Sequence, residues 1–476
     1  MIHLSDFLNV IPIMIVVIAS LISILIDIFF KKSQNITLSI CIIAVISAII
    51  FSFRNLQKEM MIFNDLLKSN DIAISFSVVI YLSFLITFFA SKPYIEKVGI
   101  NFGEYYTLLL FALLGMQLMI FANDLLIIFL GLELMSICFY VLAGFLRKRV
   151  KSNESALKYF LLGAFMTGFL LYGISLIYGI SGTTNISKLI SNMALFKNSV
   201  FMVGIGLFSI GFFFKMGIFP FQMWIPDVYE GSPTIVSGMM STSGKIAAIG
   251  TISPILFSLN IAEFKLLLSI AAVLTMLFGN IIALSQVNLK RLLAYSSIAS
   301  AGYIMVGIAS FDDFALRGIS FYLLAYTFMQ LGAFILVSVV EKNSDDKKDF
   351  VNINISDYKG LAKRYPSIAI FLSIFLFSLG GIPPFAGFWG KYYLFYAAIK
   401  ANLIWLSVVA ILLSVVSIYY YLKVIVYMWF YEPEEIKYDV YFAPLSRIAI
   451  ILSVFGTLLF GFFPDLFFSL FKMVTK

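Results

Sequence analysis

Apolar residues occupy this chain in unbroken runs of about twenty, separated by short polar punctuation. A hydrocarbon layer about 30 Å thick takes roughly 20 residues of helix to cross. Helix is required because open strands and loops leave backbone groups unpaired in lipid. Fourteen stretches qualify: 7–30, 36–53, 72–91, 105–121, 124–146, 155–180, 199–225, 234–258, 264–284, 292–310, 315–340, 366–396, 402–430 and 446–470. The first run has no small-residue cleavage site and reads as a retained span. The expected fold is an all-α integral membrane protein of about 14 transmembrane helices. The polar stretch 341–365 (EKNSDDKKDFVNINISDYKGLAKRY) is too short for a domain and reads as a connector ending in an amphipathic helix.

Two blocks repeat in the same order. FLLGAF (160–165) matches MQLGAF (329–334) at an offset of 169, and KMGIFPFQMW (215–224) matches LGGIPPFAGFW (379–389) at an offset of 164, pairing Gly217 with Gly381 and Pro220 with Pro384. The copies then cover spans 4–8 and 9–13, five spans apart. An odd number turns one copy upside down relative to the other, the inverted-repeat plan of transporters. The single membrane domain divides into a three-helix segment (1–104), a first repeat (105–258), a second (264–430) and a last helix (446–470). Proline removes a backbone donor and glycine loosens a helix, so spans 7 and 12 are expected to be broken. Unwound backbone persists at that depth only where protein buries it or water lines it.

Composition sharpens the class. Hydrophobic residues make up 61% and charged residues 12% of the chain, against about 45–50% and about 25% in a soluble globule. A disordered chain, a nucleic-acid binder and a disulfide-stapled secreted domain are excluded. Cys41 and Cys138 lie in apolar runs and read as small hydrophobes; His3 is the only histidine, so no metal or haem site is expected in this chain. The net charge of +8 serves topology: 18 Lys/Arg fall in one set of loops and 10 on the side that carries the termini, which places both termini outside.

Charges inside the spans need a reason, since each costs about 2.5–3.5 kcal/mol at mid-membrane. Glu133 lies deep in span 5, Lys215 just before the first break, Lys245 near the centre of span 8 and Lys391 just after the second break. Lys158, near the end of span 6, can snorkel. Asp27, Glu104, Asp227 and Glu230 read as solvated or interfacial, with the start of a polar path as an alternative for Glu104. Desolvation penalises an ammonium and a nearby carboxylate offsets the penalty, so Glu133 would set how tightly Lys215 holds its proton, the two titrating as a pair. A sodium site would gather carboxylates and carbonyls instead; the lysines favour protons.

At these residues the chain resembles a known family. GLELMS (131–136), SALKYFLLGAF (155–165), FFFKMGIFPFQMWIPDVYEGSPT (212–234), SGKIA (243–247), NLKRLLAYSSIASAGY (288–303) and GGIPPFAGFWGKYYLF (380–395) are similar to the antiporter-like subunits of proton-pumping NADH–quinone oxidoreductase, respiratory complex I. Within that family the length, the lack of a long lateral helix and the lysine at 391 resemble the subunit N branch. The resemblance implies proton translocation through Glu133, Lys215, Lys245, Lys391 and Lys158, with quinone reduction, FMN and iron–sulfur clusters in partner subunits. It implies sibling antiporter-like subunits as neighbours, a link to the quinone pool through the complex, and a bacterial plasma membrane. Two other readings compete: a subunit of a multi-subunit cation/proton antiporter of the same fold, and a scaffold whose buried charges merely join helices.

Overall fold

The computed structural model describes residues 4–30, 33–99, 102–259, 262–343, 350–351, 353–433, 440 and 442–471. His3, and Lys31, Lys32, Lys347, Lys348, Lys437, Lys472 and Lys476 of the loop charges, lie outside the described residues.

Thirteen of the described helices are long and apolar enough to cross a membrane: Ile11–Phe29, Gln34–Asn55, Asp71–Val98, Glu104–Phe121, Leu125–Ala143, Val150–Ser181, Ser199–Met216, Thr234–Leu259, Phe264–Leu284, Leu289–Ala309, Phe314–Val340, Ile404–Phe430 and Pro444–Phe462. Two shorter helices, Pro366–Gly380 and Ala386–Lys400, together form the broken twelfth span. The expected fourteen spans are present. The polar punctuation caps them: Asn70, Asp124, Asn198 and Asn288 each accept from a backbone N–H of the first turn, at 2.8–3.2 Å, which satisfies donors that lipid cannot. Spans 10 and 11 are buried almost throughout, while only about a third of spans 1, 6 and 13 is buried.

The two breaks are built alike. After Ser199–Met216 the chain turns at Gly217 (φ 78°), and after Pro366–Gly380 at Gly381 (φ 81°). In both, the next amide closes the helix end: Ile218 N–H to the Phe213 carbonyl at 2.9 Å and Ile382 N–H to that of Phe377 at 3.1 Å. The first break resumes as the short helix Trp224–Gly231.

A second correspondence shows the inversion. Before span 5, Asp124 forms an antiparallel bridge to Asn185, in the loop after span 6; before span 10, Asn288 bridges Asn354, in the loop after span 11. The offsets, 124 to 288 and 185 to 354, are the 164 and 169 of the sequence repeat. Span alternation puts the first bridge on the side of the termini and the second on the opposite side.

The connector after span 11 holds a two-residue antiparallel pair, Lys342–Asn343 with Phe350–Val351, then the short helical turns Ile355–Tyr358 and Leu361–Arg364. Span 8 departs from expectation: residues Met240–Gly244 form a π-helical turn directly before Lys245. Such turns cluster at functional sites.

Candidate proton-translocation site

Span 5 carries Glu133, Ser136 and Tyr140 on one face, at helical spacing. Lys215, in the last turn of the first half of span 7, meets this face at its far end. Its ammonium is buried and donates to the Tyr140 hydroxyl at 3.5 Å, lying 4.8 Å from the Tyr159 ring centre and 5.6 Å from that of Phe214. The helix C-terminus and the ring faces both favour a cation there. Tyr140 reaches this position because residue 163 is glycine; a Cβ there would stand 2.0 Å from the phenol oxygen. No ion pair within 4 Å joins Glu133 to Lys215, although the carboxylate's charge acts on both Lys215 and Tyr140. Glu133 Oε1 is buried without a protein hydrogen-bond partner. Tyr140, not Glu133, is the group that the lysine contacts.

From Lys215 the aromatic wall continues inward. Tyr159 stacks on Trp224 at 4.3 Å, Trp224 meets Tyr229 edge-on at 5.9 Å, and the Tyr229 hydroxyl faces Ser297 on span 10. Ser297 is also the anchor of Lys245, whose 1% exposed side chain donates to the serine hydroxyl and carbonyl. Beside Ser297, Ser296 hydrogen-bonds Tyr421, which packs on Tyr420 with ring centres 4.5 Å apart. Tyr420 donates to Asn280 at 3.1 Å, and Asn280 donates to Tyr303 at 3.1 Å. The Tyr303 ring lies 4.8 Å from the Lys391 ammonium. Lys391 donates to Ser414 at 2.8 Å and to the Gly380 carbonyl at 3.0 Å, a group freed by the second break.

A row of polar and aromatic groups thus runs through the protein interior from Glu133 to Lys391. Along it, Tyr229, Tyr322 and Tyr326 have buried hydroxyls, and Gln330 a buried Oε1, without protein partners. Buried polar atoms of this kind are satisfied by internal water in folded proteins.

Lys158 lies elsewhere. It is 40% exposed and sits at the rim, paired at 2.7 Å with both Glu154 and Asp227. Arg291 joins the same cluster at 2.8 Å from Asp227 and 2.8 Å from Glu230. Asp227 and Glu230 are therefore ion-paired rather than merely solvated, and Asp27 accepts from Thr37 at 3.1 Å and Thr107 at 2.8 Å. Burial raises the Asp227 carboxyl, but hydrogen bonds from Lys158 and Arg291 outweigh it and hold it below the usual 3.8.

Sequence reasoning missed Ser297, Tyr303 and Asn280; a lone asparagine inside LFGNIIAL was the available signal for the last. It also treated Lys290 and Arg149 as loop charges. Lys290 is fully buried and donates to the Ser232 carbonyl at 2.9 Å, and Arg149 is 5% exposed, stacked 3.5 Å from the Phe350 ring centre.

Broken inverted repeats around buried lysines define an antiporter-like membrane subunit. Residues 122–417 match the family model described as NADH:quinone oxidoreductase/Mrp antiporter, TM. NADH-quinone oxidoreductase subunit N of Trichlorobacter lovleyi is 45% identical over 422 residues, covering 87% of this chain and 85% of the relative. A chain of respiratory complex I from Thermus thermophilus superposes with a TM-score of 0.83 at 30% identity, covering 96% of this chain and 98% of that one. A chain of the Mrp complex from Dietzia sp. has the same fold, with a TM-score of 0.83 at 21% identity over 99% of this chain and 96% of its own. The chain belongs to the NADH-quinone oxidoreductase subunit N family.

Proposed function

We propose that this chain is the proton-translocating membrane subunit of an NADH-quinone oxidoreductase, converting quinone reduction elsewhere in the complex into proton movement. Lys215, Lys245 and Lys391 are the groups that load and release protons, and Glu133 sets the affinity of Lys215 by approaching or leaving it. The observation that carries the reading is the row of three lysines at helix breaks and a π turn, joined by tyrosines, serines and an asparagine through the protein interior. A lysine gives up its proton readily when desolvated and holds it when a carboxylate comes close. Moving the Glu133 charge therefore moves a proton. Lys158, in its rim cluster, acts as an exchange partner between Asp227 and Glu154 at one end of the path.

The partners are sibling antiporter-like subunits and the other membrane subunits of the complex, and the FMN and iron–sulfur clusters belong to the subunits that oxidise NADH. The membrane is a bacterial plasma membrane, and the excess of loop lysines and arginines supports a topology with both termini outside. The second reading, a cation/proton antiporter subunit, draws on the fold it shares with the Dietzia complex. Copurification separates the two: flavin and iron–sulfur absorbance tracking this chain supports the first, colourless hydrophobic partners the second. Lys215→Ala tests the mechanism. NADH-driven pumping should collapse while the complex still assembles; normal pumping would reduce the buried charges to helix glue.

A further inference from the structure

We propose that Glu341 is the proton-loading group for Lys245, reached from the side opposite the termini. This rests on the translocation role of Lys245 given above. Glu341 ends span 11 with 1% of its surface exposed. Its Oε2 accepts from the Thr234 hydroxyl at 2.6 Å, while Oε1 is buried and has no protein hydrogen-bond partner. A carboxylate in that state is costly unless it exchanges protons or water.

Two features give it somewhere to take a proton from and somewhere to send it. On one side lies a cavity of about 710 Å³, lined by Glu341 together with Lys92, Glu96 and Lys97, and Glu96 is exposed. That volume holds many waters, each needing about 30 Å³. On the other side, Thr234 opens span 8, and Ser237 and Ser241 follow it at helical spacing, all fully buried, before Lys245. Ser241 sits inside the π turn Met240–Gly244, which ends directly before the lysine. The three hydroxyls lie along one helix between Glu341 and Lys245, with Ser237 donating to the Tyr229 carbonyl at 2.8 Å and Ser241 to the Gly238 carbonyl at 2.7 Å, so a proton passing along them needs water between them.

The groups facing Glu341 fit a site that fills and empties. Lys97, from span 3, donates to the Ser338 and Val339 carbonyls at 2.8 and 3.1 Å, beside the carboxylate, and Tyr94 accepts from the Thr234 amide at 3.0 Å. Arg149 acts on the same phenol, and Lys290 holds the Ser232 carbonyl two residues before Thr234. Of these cations, Lys97 interacts electrostatically with the Glu341 carboxylate itself. In the step, a hydronium ion of the cavity protonates Oε1 and becomes water; the carboxyl then gives up this proton to the Thr234 and serine hydroxyls and the waters between them, each group taking one proton and passing one on, until the neutral Lys245 amine holds it as an ammonium and Glu341 is again a carboxylate.

The test uses the assembled complex in proteoliposomes, with Lys245→Ala as the reference. Glu341→Gln should slow NADH-driven pumping by about tenfold or more, with a rate that falls further as pH rises on the loading side, because direct protonation by water becomes limiting. Glu341→Asp should recover most of the rate. Wild-type pumping by Glu341→Gln, with Lys245→Ala inactive, overturns this inference and leaves the translocation reading standing; wild-type pumping by both overturns that reading too. Should Glu341→Gln fail to assemble, Thr234→Val decides: it keeps the carboxylate and must slow pumping, and wild-type pumping in it refutes the route.

Discussion

Glu133 shows how a single side chain can be spent on function. Its Oε1 is buried with no protein partner, so replacing that oxygen by an amide removes no hydrogen bond at that atom. Glu133→Gln should therefore assemble as wild type does and lose pumping by at least about tenfold, since it can no longer attract the Lys215 proton. Proton uptake per NADH in proteoliposomes measures this, and full yield would remove the coupled-pair mechanism. Asp227 is the opposite case, held by partners on the rim. Its lowered carboxyl contributes stability above its ordinary value of 3.8, and that contribution is lost as pH falls through the folded value. At 36% exposure the contribution is small, about 1 kcal/mol or less. In thermal unfolding of detergent-purified protein, Asp227→Asn should be slightly less stable at neutral pH, and the gap should close in acid.

At the scale of elements, each helix break is tied to the lysine beside it. Gly381 is left-handed, and a Cβ there would come within 2.9 Å of Lys391 Cδ, so the glycine makes room for the lysine stem as it bends back to the Gly380 carbonyl. Gly381→Ala should cost about 1–2 kcal/mol of stability from backbone alone, and it should displace the ammonium. Pumping should then fall more than the unfolding temperature does. Both breaks were legible in the sequence because glycine and proline act on the backbone whatever surrounds them. The lysines at 215, 245 and 391 were legible because charge in an apolar run is conspicuous. The π turn was not, since MSTSG carries no signal distinguishing it from ordinary helix. Nor were Lys290 and Ser297: span 10 is buried on all sides, so its polar residues follow no periodicity that tells inside from outside.

Within the whole molecule, spans 4–8 and 9–13 are two inverted copies of one five-span unit, each supplying a broken helix to a common interior. Equivalent bridges, Asp124 to Asn185 and Asn288 to Asn354, pin corresponding loops on opposite faces. Arg291, from the second repeat, holds Asp227 and Glu230 of the first, so the rim cluster spans the boundary between the copies. Between the copies runs the row from Glu133 to Lys391, and its function depends on whether water completes it. The most direct test is a density map of the assembled complex at a resolution that shows water. It should place ordered waters against Tyr229, Tyr322, Tyr326, Gln330 and the three lysines, forming a continuous chain from Lys215 to Lys391. A well-resolved interior with these groups dry and unconnected would contradict proton transfer along the row.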